Sequence, residues 1–98
     1  MNYRVKLTSR AREDIKRLHD FLAGKDRASA RRSLDTLRSA FETLNLFPYS
    51  CRKIDDDDPT LRELLIPSGR GGYAAIFRIR DGEVRILAIR HQLEDDYL

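Results

Sequence analysis

The sequence predicts an α+β fold in the order β-α-α-β-β-β, with an N-terminal helical hairpin packed on one face of a mainly antiparallel four-stranded sheet. Three observations carry this expectation. Asp81-Gly82 lies between two runs of alternating apolar and polar residues, the strongest two-residue signal for a β-hairpin. Two upstream stretches repeat apolar residues at steps of three and four, the spacing of amphipathic helices. A short alternating run, NYRVKLT, precedes both and reads as a half-buried strand.

In that first strand Tyr3, Val5 and Leu7 alternate with Arg4, Lys6 and Thr8. Thr8 or Ser9 can cap the helix that follows, and Glu13 and Asp14 lie near its positive end. Ala11, Ile15, Leu18 and Leu22 form its apolar stripe, and Gly24 ends it. Ala30, Leu34, Leu37, Phe41 and Leu44 mark a second, longer helix, with Arg27, Arg31, Arg32, Asp35, Arg38 and Glu42 on its other side. Pro48 stops it. The short break between the two implies an antiparallel helical hairpin. PYSCRKIDDDDPT reads as a loop, because prolines bound it and the adjacent acids Asp55–Asp58 repel one another into water. That acidic run lacks the ligand spacing of a calcium loop, so no metal is expected there. LRELLI reads as a short strand, and GYAAIFRIR and EVRILAIRH as the hairpin around Asp81-Gly82. PSGRGG lacks the phosphate-loop pattern and precedes a strand, so it reads as a flexible turn.

With 98 residues, the chain is expected to form a single domain over residues 1–98. Its 41% hydrophobic and 36% charged content suits a compact, soluble globule. No apolar run approaches the roughly 20 residues that a membrane span needs. MNYRVKLTSR has no apolar core of a secretory signal, and the single Cys51 cannot form an internal disulfide. A cytoplasmic location is expected from these features. The formal charge of +3 is uneven: residues 1–47 hold 11 Lys/Arg against 6 Asp/Glu, and residues 48–98 hold 8 against 10. The basic first half reads either as solvated helix faces or as a surface for nucleic acid or an acidic protein.

Counting outward from Asp81-Gly82 pairs Arg80 with Glu83, Ile79 with Val84, Arg78 with Arg85, Phe77 with Ile86 and Ile76 with Leu87. Tyr73, Ala75, Phe77, Ile79, Val84, Ile86 and Ala88 then share the core face. Ala74, Ile76, Arg78, Arg80, Glu83, Arg85, Leu87, Ile89 and His91 share the other. Arg90 and His91 point to opposite faces, His91 with Arg78 and Arg85. Arg78 opposite Arg85 is a like-charge pair, which solvation and the nearby Glu83 can relieve. Alternatively, arginines beside exposed Ile76 and Leu87 form a surface for a protein partner.

His91 is either a general acid or base or a polar strand terminus. His19 is structural or solvated. Arg62 and Arg90 can hold phosphate or carboxylate as bidentate donors, or pair with Glu63, Glu94 or Asp95. Cys51 has no neighbour in sequence that would activate its thiol.

Taken together, these segments resemble the RelE/ParE superfamily of bacterial toxins from type II toxin–antitoxin systems. The likeness spans nearly the whole chain. It rests on the element order, on LTSRAREDIKRLHDFL, FETLNLFPYSCRK and LRELLI, and on GYAAIFRIRDGEVRILAIRHQ and the terminal RHQLEDDY. The resemblance implies a bacterial growth-arresting protein held inactive by a cognate antitoxin, with the exposed sheet face as its dock. ParE-like members poison DNA gyrase and share the paired N-terminal helices. RelE-like members enter the ribosome and cleave messenger RNA, using lysines before the sheet, arginines on it and a tyrosine near the C-terminus.

Tyr97 matches that tyrosine, but His91 stands where an arginine is usual. Lys53 is the only lysine between helix and sheet, and Ile66-Pro67 replaces the arginine before the SG turn, with Arg70 close by. If the chain cuts RNA, the resemblance assigns the work to Arg70, Arg90, His91 and Tyr97. The incomplete set favours the ParE-like branch: a gyrase-binding toxin without cofactor, metal or bond chemistry of its own. Ile76, Arg78, Arg85, Leu87, Arg90, His91 and Tyr97 are then the expected contacts to target or antitoxin. A third reading is a nucleic-acid-binding module using Arg27, Arg31, Arg32 and Arg38.

Overall fold

The computed structural model describes residues 2–68 and 71–91. Its elements follow as β1 (Arg4–Leu7), α1 (Ser9–Ala23), α2 (Arg27–Leu46), β2 (Arg52–Asp55), β3 (Asp58–Ser68), β4 (Gly71–Arg80) and β5 (Glu83–His91). A 3₁₀ turn, Pro48–Ser50, links α2 to β2. Across the sheet the strands lie in the order β1-β5-β4-β3-β2. β1 runs parallel to β5, and the other neighbours are antiparallel.

The sheet therefore has five strands, where the sequence predicted four. The extra one is β2, from the segment read as a loop. Arg52 pairs with Glu63, Lys53 with Arg62 and Asp55 with Asp58, leaving Asp56-Asp57 as the turn. The acids shape that turn instead of simply facing water. Asp55 Oδ1 accepts the Asp57 N–H at 2.9 Å, and Asp58 Oδ1 accepts the Thr60 N–H at 3.0 Å and its hydroxyl at 2.6 Å. LRELLI is the middle of an 11-residue strand that tolerates Pro59 because it lies near the strand start.

Thr8 Oγ1 accepts the Ala11 N–H at 3.1 Å and caps α1. Gly24 closes α1 in the right-handed region, at φ −66°. Asp26 then caps α2, accepting the Ala28 N–H at 3.1 Å and the Ser29 hydroxyl at 2.8 Å. The helices pack their stripes on one face of the sheet. Ala11, Leu18, Leu37 and Leu44 meet Ile66, Phe77, Ile79, Val84 and Ile86 in one core. Each of these side chains removes apolar surface from water at roughly 25 cal/mol per Å².

Asp81 and Gly82 both take positive φ, 54° and 75°, as the expected two-residue turn requires. The counted register holds from Arg80–Glu83 to Phe77–Ile86. Beyond it a β-bulge intervenes, and Ile76 pairs with Ala88, not Leu87. One extra residue exchanges the faces of the strand end. Ile89, 0% exposed, and His91, 7% exposed, turn to the helix side, while Ala88 and Arg90 move to the open side. This reverses the expected sides of all four.

The bulge has a tertiary cause. β1 accompanies β5 only as far as Ile86. Past that point the start of α1 takes over the strand's outer edge. The Thr8 N–H donates to Ile86 O at 3.1 Å, and Thr8 Oγ1 donates to Ile86 O at 3.0 Å and Leu87 O at 3.2 Å. Buried Asp14 accepts the Ile89 N–H on Oδ2 at 2.9 Å. Backbone groups that an edge strand would leave unpaired are thus satisfied by two side chains.

Candidate functional site

The face of the sheet opposite the helices carries the candidate residues in rows set by the register. Nearest the β4–β5 turn lie Arg80, Glu83 and Arg4. The next row holds Leu61, Arg78, Arg85 and Lys6. Glu63, Ile76 and Ala88 follow, then Leu65, Ala74 and Arg90. Two cationic rows at the turn end thus give way to mostly apolar rows, with Glu63 in the first of them and Arg90 in the last.

Each member of the Arg78–Arg85 pair has its own acid, which relieves the like-charge contact. Arg78 Nη2 lies 3.2 Å from Asp58 Oδ2, and Arg85 Nη2 lies 2.9 Å from Glu83 Oε2. The Thr60 hydroxyl, followed by the Thr60 N–H, holds the Asp58 carboxyl below its ordinary range, and Arg78 adds to this. Glu63 accepts from Arg52 Nε at 2.8 Å. Among the described residues, Arg4, Lys6 and Arg80 have no carboxylate partner. A hollow of about 270 Å³ opens beside the turn, lined by Arg4, Arg78, Arg80, Asp81, Glu83, Arg85 and Leu87.

Ile76, Arg78, Arg85, Leu87 and Arg90 all belong to this open face, with Ile76, Arg78 and Leu87 half-buried and the other two exposed. His91 does not. Its ring packs edge-on against Tyr73, centroids 5.0 Å apart, on the helix side. Arg70 and Tyr97 lie outside the described residues, as do Glu94 and Asp95.

Arg62 is engaged elsewhere. Its Nε donates to Pro59 O at 2.8 Å, and its Nη1 to Cys51 O at 2.8 Å and Tyr49 O at 3.2 Å. The guanidinium also lies over the Tyr49 ring at 5.2 Å, so Arg62 pins the 3₁₀ turn to β3. Burial pushes the Cys51 thiol up, away from the thiolate a nucleophile requires. Arg4 and Lys6 were not foreseen on this face. Their alternation in β1 was legible, but the parallel pairing that brings β1 beside β5 was not.

Among the described residues no group of three or more His, Cys, Asp or Glu is placed to hold a metal ion. No described helix is long and apolar enough to cross a membrane.

Comparison with known proteins places this geometry. A family model for the ParE toxin of type II toxin–antitoxin systems, parDE, matches residues 5–96. Toxin RelE1 of Caulobacter vibrioides is 32% identical over 94 residues, which cover 96% of this chain and 98% of that protein. Solved structures share the fold. The chromosomal ParDE toxin–antitoxin system of P. aeruginosa superposes with a TM-score of 0.74 at 20% identity, covering 91% of this chain and 95% of that one. The RelBE2 toxin–antitoxin complex of Mycobacterium tuberculosis gives 0.61 at 23% identity, covering 94% and 100%. The match over residues 5–96 and the near full-length relative together establish that the chain belongs to the ParE toxin family of type II toxin–antitoxin systems, within the RelE/ParE superfamily.

Proposed function

We propose that this toxin arrests growth in the bacterial cytoplasm by binding DNA gyrase and breaks no bond itself, and that a cognate antitoxin neutralises it by covering the open sheet face. The observation that carries this reading is the position of His91. RNA cleavage without a metal needs an acid, a base and cations gathered around one phosphate. The His91 ring is buried against Tyr73, on the side away from Arg78 and Arg85. Arg62, the other candidate phosphate fork, donates to three backbone carbonyls. What the open face offers is cations beside half-buried Ile76 and Leu87, a composition suited to a protein partner. Ile76, Arg78, Arg85, Leu87 and Arg90 are its contact residues in this reading, and Tyr97 joins them by family likeness.

A second reading is ribosome-dependent cleavage of messenger RNA. It is favoured by the name of the 32% identical relative, and by the bulge that brings Arg90 to the face of Arg78 and Arg85. The two readings separate in one experiment. Purified toxin is added to gyrase with relaxed plasmid, and to translating ribosomes whose messages are then mapped. Loss of supercoiling with intact messages is the expected result. Normal supercoiling with codon-positioned cuts would overturn the proposal, and loss of those cuts in Tyr97→Phe would assign the chemistry.

A further inference from the structure

We propose that the hollow beside the β4–β5 turn is a carboxylate pocket that takes one acidic side chain from an acidic-and-apolar segment of a protein partner. This deepens the reading of the open face as a binding face, and it concerns the turn end of that face, remote from Arg90 at the other end.

Three strands deliver its cations: Arg4 from β1, Arg78 and Arg80 from β4, and Arg85 from β5. Two of them are already oriented. Asp58 and Glu83 hold the guanidinium groups of Arg78 and Arg85, so little side-chain freedom remains to be lost on binding. Arg4 and Arg80 have no acid partner among the described residues.

Composition selects the ligand, and the hollow's volume of about 270 Å³ leaves room for a side chain. Leu87 gives it an apolar wall, continuous with Ile76 and Ala88, which a carboxylate neighboured by an aliphatic residue would cover. Asp81 and Glu83 on its rim limit the negative charge the hollow can take, which disfavours a run of phosphates more than one carboxylate.

The probe is the peptide acetyl-Leu-Glu-Leu-Glu-Leu-amide, titrated into purified toxin while the arginine Nε–H signals are followed by NMR. The signals of Arg4, Arg78, Arg80 and Arg85 should shift saturably. The glutamine version of the peptide should leave them in place. Arg80→Glu should weaken binding at least tenfold, while Arg38→Glu, an equal charge change on the exposed side of α2, should weaken it less than twofold. Equal binding of both peptides, or equal loss in both variants, would overturn the pocket. So would larger shifts of the same signals with hexauridylate, which would make it a nucleic-acid site. Peptide binding by a toxin that leaves supercoiling untouched would keep the pocket and remove gyrase. Supercoiling inhibited equally by wild type and Arg80→Glu, with no peptide binding, would remove the pocket and keep gyrase.

Discussion

The carboxylate of Asp14 accepts the Ile89 N–H at 2.9 Å and is held by Arg17 at 2.7 Å, in a position 5% exposed to solvent. Removing its oxygens leaves a buried N–H without a partner, at about 1–3 kcal/mol. Asp14→Leu should therefore lower the thermal midpoint by several degrees, since about 1 kcal/mol moves a domain of this size by roughly 4–8 °C. Asp14→Asn keeps one acceptor oxygen and should lose less. A leucine variant as stable as the asparagine variant would contradict this role. Asp58 gives a second test. Its folded carboxyl titrates below the ordinary 3.8, mainly through the Thr60 hydroxyl. A depressed folded value contributes stability above the ordinary range, and that contribution is lost as pH falls through the lowered value. Thr60→Val removes the hydroxyl, so the Asp58 carboxyl should titrate closer to 3.8 in a carbon-13 NMR titration. An unmoved midpoint would show that Thr60 does not set it.

The elements separate local from distant information. The turn at Asp81-Gly82 and both helix stripes were legible because each depends on residues within a few positions of one another. Arg78 and Arg85 were paired correctly for the same reason: each lies within three residues of the turn. Arg90 and His91 were exchanged because the bulge before them is set by Thr8 and Asp14, more than 70 positions away in sequence. β2 escaped detection because its four residues alternate too little to mark a strand without β3 beside them.

The bulge also predicts an asymmetry. Deleting Leu87 removes the extra residue and leaves the faces of 88–91 unchanged. Inserting one alanine after Leu87 turns buried Ile89 outward, at about 1.5–3 kcal/mol. The deletion should be the more stable of the two in thermal unfolding, and the reverse order would refute the face exchange. The turn glycine Gly82 and the strand glycine Gly72 differ in kind. A Cβ on Gly82 meets nothing within 4 Å, so Gly82→Ala should cost only the positive-φ strain, about 1–2 kcal/mol. A Cβ on Gly72 would lie 2.5 Å from the Ile66 carbonyl oxygen, opposite Pro67, so Gly72→Ala must part β3 from β4 and should cost more.

At the scale of the whole molecule, the uneven charge of the chain does not map onto separate surfaces. The basic first half supplies Arg4 and Lys6 to the same face that Arg78, Arg85 and Arg90 build from the acidic second half. The parallel β1–β5 pairing makes that surface, which neither half forms alone. The acids of the second half are drawn in as partners: Asp58 on Arg78, Glu83 on Arg85 and Glu63 on Arg52. The proposal that this face binds gyrase is tested most directly by supercoiling with purified gyrase in the presence of three proteins: wild type, His91→Phe and Arg85→Glu. Inhibition by wild type and by His91→Phe, weakened at least tenfold in Arg85→Glu, is the predicted result. Supercoiling that proceeds fully with wild type, or that Arg85→Glu inhibits as well as wild type does, would contradict it.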